Sequence, residues 1–251
     1  VFPILNVGPA AIQLPGLILL LGYWLCLNLA GRRAKAMGLP EDAIFSAGFI
    51  AMLAGLVGAR VGYVALHWSA YQDDVSGVLA LTTGALSAPI GVLVGVAAAA
   101  LFLRRYHIPA PVLLDTLAPA FALLFAFFSL ADLSSGSAYG VISDLPWAVH
   151  LWGAQRHPTQ IYELAAALAA LGLLWWAHTR RPYPGFLFLL FLVIYGAFRL
   201  FLDAFRADPW LLPGGYRGVQ VIGLALVMVS LWLMSQQGAP ASSTQNRLPP
   251  S

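Results

Sequence analysis

An all-α integral membrane fold of seven transmembrane helices is what three observations predict. The chain is 60% hydrophobic with a mean hydropathy of +0.81, and only 9% of its 251 residues are charged. Those charges separate uncharged runs at 1–31, 43–59, 75–103, 116–131, 164–179, 182–198 and 218–246. A soluble domain does not carry so much apolar surface. About 20 mostly apolar residues cross the hydrocarbon of a bilayer. Each run supplies one crossing, the shorter ones by taking in a flanking polar residue.

The helices are expected at 11–30, 45–66, 86–103, 112–131, 159–178, 185–205 and 218–235. The first has no basic stretch before it, and GRRAKA behind it reads as a cytoplasmic stop, so a cleavable signal peptide is not expected. Arg32, Arg33 and Lys35 follow helix 1, Arg104 and Arg105 follow helix 3, Arg180 and Arg181 follow helix 5, and Arg247 lies in the tail. Every odd-numbered exit is basic. By the positive-inside rule the N-terminus faces outside and the C-terminus is cytoplasmic. The net charge of +3 therefore follows topology, and nucleic acid is not an expected partner. Residues 1–235 read as one seven-helix membrane domain and 236–251, Pro-rich and polar, as a disordered cytoplasmic tail. The longest outside segments are 67–85 and 132–158; the second, with Trp147 and Trp152, is expected to hold short helical or re-entrant pieces at the interface. The lone Cys26 cannot form an internal disulfide and reads as packing.

The ionisable residues inside spans then become informative. Helix 2 runs outward and carries Arg60 toward its outer end. Helix 5 runs inward from RHPTQIYE, placing Arg156, His157, Gln160, Tyr162 and Glu163 at its outer end. Helix 6 runs outward as YGAFRLFLDAFRADP, and Arg199, Asp203 and Arg206 share one face at i, i+4, i+7. Charge at that depth is costly unless paired or hydrated, so it points to a site. Blander roles compete. Arg206 and Arg217 could snorkel, Asp203 could be counter-ion to Arg199 or Arg206, and His157-Pro158 could merely start a helix whose positive end Glu163 favours. Arg199, with an apolar run before it, resists such an explanation. Guanidinium forks suit phosphate oxygens, so an anionic phospholipid site on the outer side is the reading these residues support.

RHPTQIYE also resembles the HPxQxYE segment of the prolipoprotein diacylglyceryl transferase family. GARVGYV in helix 2, YGAFRLFLDAFRADP in helix 6 and the opening FPILNVGPAAIQLPGLILLLGYW are similar to other family segments, in the same order, up to about residue 235. The resemblance implies a bacterial inner-membrane, multi-pass transferase without cofactor or metal. Such an enzyme moves diacylglycerol from phosphatidylglycerol to the lipobox cysteine of a prolipoprotein signal peptide. It implies Arg199 as a phosphate binder and puts Asp203 where the family usually has glutamate. Arg60, Arg156 and Arg206 are the further phosphate-binding residues expected. Arg199, His157 and Asp132 are the expected catalytic set, His157 or Asp132 being the base. Gln160, Tyr162, Glu163, Asp203 and Gly140 are supporting.

The family signature, roughly GRxGNFxNxExxG, corresponds here to FSLADLSSGSAYG, aligned through Gly140. Ser129 stands for its arginine, Asp132 and Ser135 for its asparagines, and Ser137 for its glutamate. Pro89 falls on the family's histidine and Pro15 on its tyrosine. The alternative function is therefore a catalytically inactive relative that binds anionic phospholipid or serves as a subunit of a membrane complex. A serine protease using Ser135 or Ser137 with His150 or His157 is a third reading, although Ser-Gly-Ser runs are common in turns. No midplane site suggests a transporter, and no metal-ligand spacing appears.

Overall fold

The computed structural model describes residues 4–7, 10–72, 77–78 and 84–238. Seven helices among them are long and apolar enough to cross a membrane. They are α1 (Leu14–Ala36), α2 (Glu41–Leu66), α3 (Ala88–Leu103), α4 (Ala110–Ser135), α5 (Thr159–Ala177), α6 (Phe186–Leu202) and α7 (Gly218–Gly238). Uncharged runs of bilayer length thus become helices, where every backbone polar group is satisfied within the segment. Single 3-10 turns extend α3, α5 and α6 over 104–106, 178–180 and 203–205.

The elements depart from the sequence reading at several ends and within one outside segment; α2 begins at Glu41 and α4 continues to Ser135. Residues 11–13 are not helical: β1 (Ile4–Val7) pairs antiparallel with β2 (Ala10–Gln13), and α1 begins only at Leu14. At its other end α1 runs through Arg32, Arg33 and Lys35, because cations in the last turn, here Arg33 and Lys35, favour the negative end of the helix dipole. Segment 132–158, where short helical or re-entrant pieces were expected, begins with the last turn of α4 and then holds a β-hairpin. Strand β3 (Val149–Leu151) pairs with β4 (Ala154–Arg156) across Trp152 and Gly153, both at positive φ (53° and 77°). Two successive positive φ values make the tight primed turn that matches strand twist. The tail expected to be disordered lies, from 239 onward, outside the described residues.

The chain forms two compact units, residues 27–109 and residues 1–26 with 110–251. In the first, α2 and α3 meet through glycine. A Cβ on Gly55 would sit 3.1 Å from the carbonyl oxygen of Gly91, and one on Gly95 only 2.6 Å from that of Ala51. Backbones can approach this closely only where side chains are absent, the usual device for helix association in lipid. Arg60 on α2 is buried, and its guanidinium donates to the carbonyls of Val78 (2.8 Å), Ala85 (2.9 Å) and Gly77 (2.6 Å). It ties its own unit's connecting segment to the helix end.

In the second unit α4, α5 and α6 pack around Ala118, Ala122, Ala170, Leu174, Leu187 and Phe191. Phe121, Phe125, Phe191 and Tyr195 stack beside this core. Consecutive helices run antiparallel, so the C-terminal ends of α4 and α6 lie at the same end of the bundle as the N-terminus of α5. At the opposite end Asp115, fully buried, accepts the backbone N–H of Gly185 (2.8 Å, Oδ2) and of Phe188 (3.0 Å, Oδ1). A carboxylate on the first turn of α6 satisfies orphan donors and complements the dipole.

Asp115→Ala is expected to lower stability in detergent by on the order of 2–4 kcal/mol, since it strands two buried N–H donors. Asp115→Asn, which keeps one oxygen acceptor, should lose less. An unfolding midpoint unmoved by either change would show that this cap contributes nothing.

Candidate functional site

At the end of the second unit where α4, α5 and α6 bring their polar residues together lies a cavity of about 310 Å³. Its mouth is lined by Ser129 and Asp132 from α4, Glu163 from α5, Arg199 from α6 and Arg206 just beyond α6. Its depth is apolar, with Ala166, Ala167 and Ala170 opposite Phe125 and Phe191. The alanines follow Glu163 down one face of α5, and their small side chains leave the space.

Glu163 joins the charges. Its Oε1 accepts from Nη1 of Arg199 at 2.9 Å and from Nη1 of Arg206 at 3.3 Å. Arg199, a base in the last turn of α6, also sits at the favourable helix pole. Arg206 is further clamped by Asp208 through two bonds of 3.1 Å. Burial opposes its charge, but the Asp208 bonds and Glu163 outweigh that and push its pKa up. Arg206 is therefore anchored, where the sequence also allowed it to snorkel. The buried Nε of Arg199 has no hydrogen-bond partner. Tyr195, one turn earlier on α6, lies under its guanidinium at 6.0 Å. Sequence reasoning passed over this tyrosine, although the i, i+4 spacing of Tyr195 and Arg199 was visible.

Of RHPTQIYE, only Glu163 lines the cavity. The other residues brace the segment before α5. Arg156 donates to the carbonyls of Leu151 (3.1 Å) and Gly140 (3.3 Å) and stacks over Tyr139. Gln160 donates to the Ser137 carbonyl at 2.6 Å and Thr159 to that of Ala138 at 2.6 Å. Tyr162 accepts from the Trp147 indole at 2.8 Å. His157 packs against Phe205 with its Nδ1 3.4 Å from the Tyr162 hydroxyl, and it is not part of the lining. Gly140 is required by close approach: a Cβ there would meet the His157 carbonyl oxygen at 2.4 Å.

Asp203 was expected to balance Arg199 or Arg206, and it does neither. It turns into the protein, 2% exposed, with Arg217 3.8 Å from its Oδ2. Arg217 also donates to the backbone carbonyls of Asp203 and Arg206, so it too is engaged where snorkelling was an option. Arg60 belongs to the other unit, where its donors already serve the three carbonyls described above. Ser135 and Ser137 bond each other at 2.9 Å, and among the described residues neither hydroxyl contacts a histidine. Among those residues no three His, Cys, Asp or Glu side chains gather as a metal site.

Residues 3–236 match the family model described as prolipoprotein diacylglyceryl transferase. The chain belongs to the prolipoprotein diacylglyceryl transferase family. Proteins named phosphatidylglycerol–prolipoprotein diacylglyceryl transferase resemble it along most of their length. One from Symbiobacterium thermophilum is 30% identical over 92% of this chain and 90% of its own. One from Finegoldia magna is 27% identical over 87% and 88%, and one from Clostridioides difficile 28% over 83% and 84%. Against the family signature, both Ser129 and Asp132 fall inside the cavity. Ser129 has its hydroxyl turned to the Phe125 carbonyl of its own helix (3.1 Å). The carboxylate of Asp132 has no hydrogen bond or ion pair among the described residues, yet it lies within electrostatic range of Glu163, Arg206, Asp208 and Arg199.

Glu163→Gln should leave both guanidiniums without their shared anion. A loss on the order of 2 kcal/mol in thermal unfolding is expected, as for hydrogen bonds to charged groups. A stability equal to that of the unmutated protein would mean that Glu163 does not hold this cluster together.

Proposed function

We propose that this protein is a diacylglyceryl transferase of the bacterial inner membrane, taking diacylglycerol from a glycerophospholipid to the lipobox cysteine of a prolipoprotein. Phosphatidylglycerol is the donor in the relatives' names. The observation carrying this reading is one cavity with an arginine-bearing mouth and an apolar depth. It suits a lipid whose phosphate stays at the polar end while acyl carbons enter the alanine-lined slot. The positive-inside distribution turns that mouth toward the outer face, where secreted precursors emerge.

The chemistry asked of the site is modest. The thiolate sulfur forms a C–S bond at the glycerol carbon as the C–O bond to phosphate breaks. A phosphate monoester leaves, carrying in the balance the proton the thiol gave up. Charge grows on the phosphate oxygens in that step, and Arg199, a cation in the cavity lining, is the group we assign to receive it. Glu163 acts through Arg199, accepting from its Nη1 and so fixing the guanidinium at the cavity. A fixed donor needs no reorganisation as the charge develops.

The test is a purified-protein assay in liposomes of mixed phosphatidylglycerol and phosphatidylethanolamine with a lipobox peptide, read as diacylglyceryl mass addition. Addition is expected, and Arg199→Ala should cut its rate about a hundredfold or more. Arg199→Lys should recover little, because a point charge cannot give both the Glu163 bond and a phosphate bond in one plane. Absence of addition, with phospholipid still bound, would replace the transferase reading by that of an inactive lipid-binding relative.

A further inference from the structure

We propose that Arg217, which is absent from the cavity lining, is a positioning residue for it. It fixes the backbone of Arg206, and through Arg206 and Glu163 it sets where the Arg199 guanidinium stands. This deepens the transferase reading, on which its first test rests.

Arg206 reaches Glu163 from beyond the end of a helix. α6 ends at Leu202, Asp203–Phe205 add one 3-10 turn, and Arg206 follows in extended conformation at φ −76° and ψ 138°. Helical hydrogen bonding therefore does not set where its backbone lies. An antiparallel pairing supplies one side of the support. Val141 donates to the Phe205 carbonyl at 2.9 Å and Ala207 to that of Tyr139 at 3.0 Å, with Gly140 opposite Arg206. Those bonds flank Arg206 and make it half of a non-hydrogen-bonded pair, so its own backbone N–H and carbonyl turn away from the partner strand. The N–H closes onto the Asp203 carbonyl at 3.2 Å. The carbonyl accepts from Nη1 of Arg217 at 3.3 Å.

The same Nη1 donates to the Asp203 carbonyl and stands 3.8 Å from the buried Asp203 carboxylate. A cation here meets carbonyls that a helix end leaves without partners, at its negative pole. The turn so capped carries Arg199, whose carbonyl accepts from the Asp203 N–H. Arg217 is itself held in place. Leu211 pairs with it, Leu212 donates to the Tyr216 carbonyl at 2.8 Å, and Gly218 donates to that of Trp210 at 2.8 Å, a short hairpin leading into α7. One oxygen, Oε1 of Glu163, takes both Arg206 at 3.3 Å and Arg199 at 2.9 Å. If Arg206 drew back, Glu163 would turn to Arg199 alone and pull its guanidinium with it. A misplacement of about 1 Å, caused far from the chemistry, costs about a hundredfold in rate.

The test is the liposome assay with phosphatidylglycerol and a lipobox peptide, its rates expressed per folded protein. Arg217→Gln should lower kcat about tenfold or more while KM for phosphatidylglycerol stays within about twofold, since Arg217 touches no substrate. Arg217→Lys, whose ammonium still donates to both carbonyls, should recover most of that loss. In an Arg206→Gln background Arg217→Gln should cost nothing further, because the guanidinium it positions is gone. An unchanged kcat in Arg217→Gln overturns the proposal. So does an equal loss in both backgrounds, which would make Arg217 a support of the fold alone. Should Arg217→Gln not fold, Asp203→Asn, which loosens Arg217 and keeps the carbonyls, is read in the same two backgrounds by the same criteria. If the unmutated protein transfers nothing, the transferase reading falls and retained lipid becomes the readout. Phosphatidylglycerol is then weighed against diacylglycerol of identical chains by native mass spectrometry. Arg217→Gln should lose about fivefold of the preference for the phosphate-bearing lipid, and Arg217→Lys should keep it. A preference unchanged in Arg217→Gln overturns the proposal there as well.

Discussion

Two guanidiniums at the mouth of an apolar cavity would repel each other unless one carboxylate stood between them, and Glu163 is that carboxylate. Much of the polar architecture at this end of the unit follows from its placement. Glu163 sits in the first turns of α5, so the segment entering α5 must be held still for the pair to persist. Arg156, Thr159, Gln160 and Tyr162 do this by bonding to carbonyls or to the Trp147 indole within 137–151. The polar density of RHPTQIYE is thereby explained: one residue carries the charge and its neighbours fix the helix that presents it.

The cavity itself depends on what is small. Ala166, Ala167 and Ala170 line it immediately below Glu163, and the aromatic wall of Phe125, Phe191 and Tyr195 faces them. A polar mouth above an apolar slot is the profile of a phospholipid. In lipid there is no hydrophobic drive between helices, so the bundle is held by close packing and by internal polar contacts such as Asp115 on the start of α6. Polar groups at both ends of the same three helices therefore do different work: Asp115 closes a backbone, whereas Asp132, Glu163 and Arg199 face open space.

Family membership and local chemistry point in directions that need reconciling. Ser129 and Asp132 each make the mouth more negative than the signature arginine and asparagine would. Both lie where a ligand would feel the difference. Arg199 stands beside them in the same lining, its buried Nε without a hydrogen-bond partner.

Hydropathy and length by themselves determined the seven crossings, because bilayer thickness sets how many apolar residues a helix needs and that information is local. The same holds for the common depth of Arg199 and Glu163, which the alternating direction of successive helices requires. The family resemblance was equally legible. Which charge meets which was not. Asp203 shares a helical face with Arg199 by spacing, yet it turns inward toward Arg217, while Glu163, thirty-six residues from Arg199, takes the partnership. The Trp152-Gly153 hairpin and the exclusion of His157 from the lining were likewise hidden. Pairing depends on how each helix is rotated about its axis and on what its neighbours leave unfilled. Those are properties of the packed bundle, and only the tertiary structure decided them.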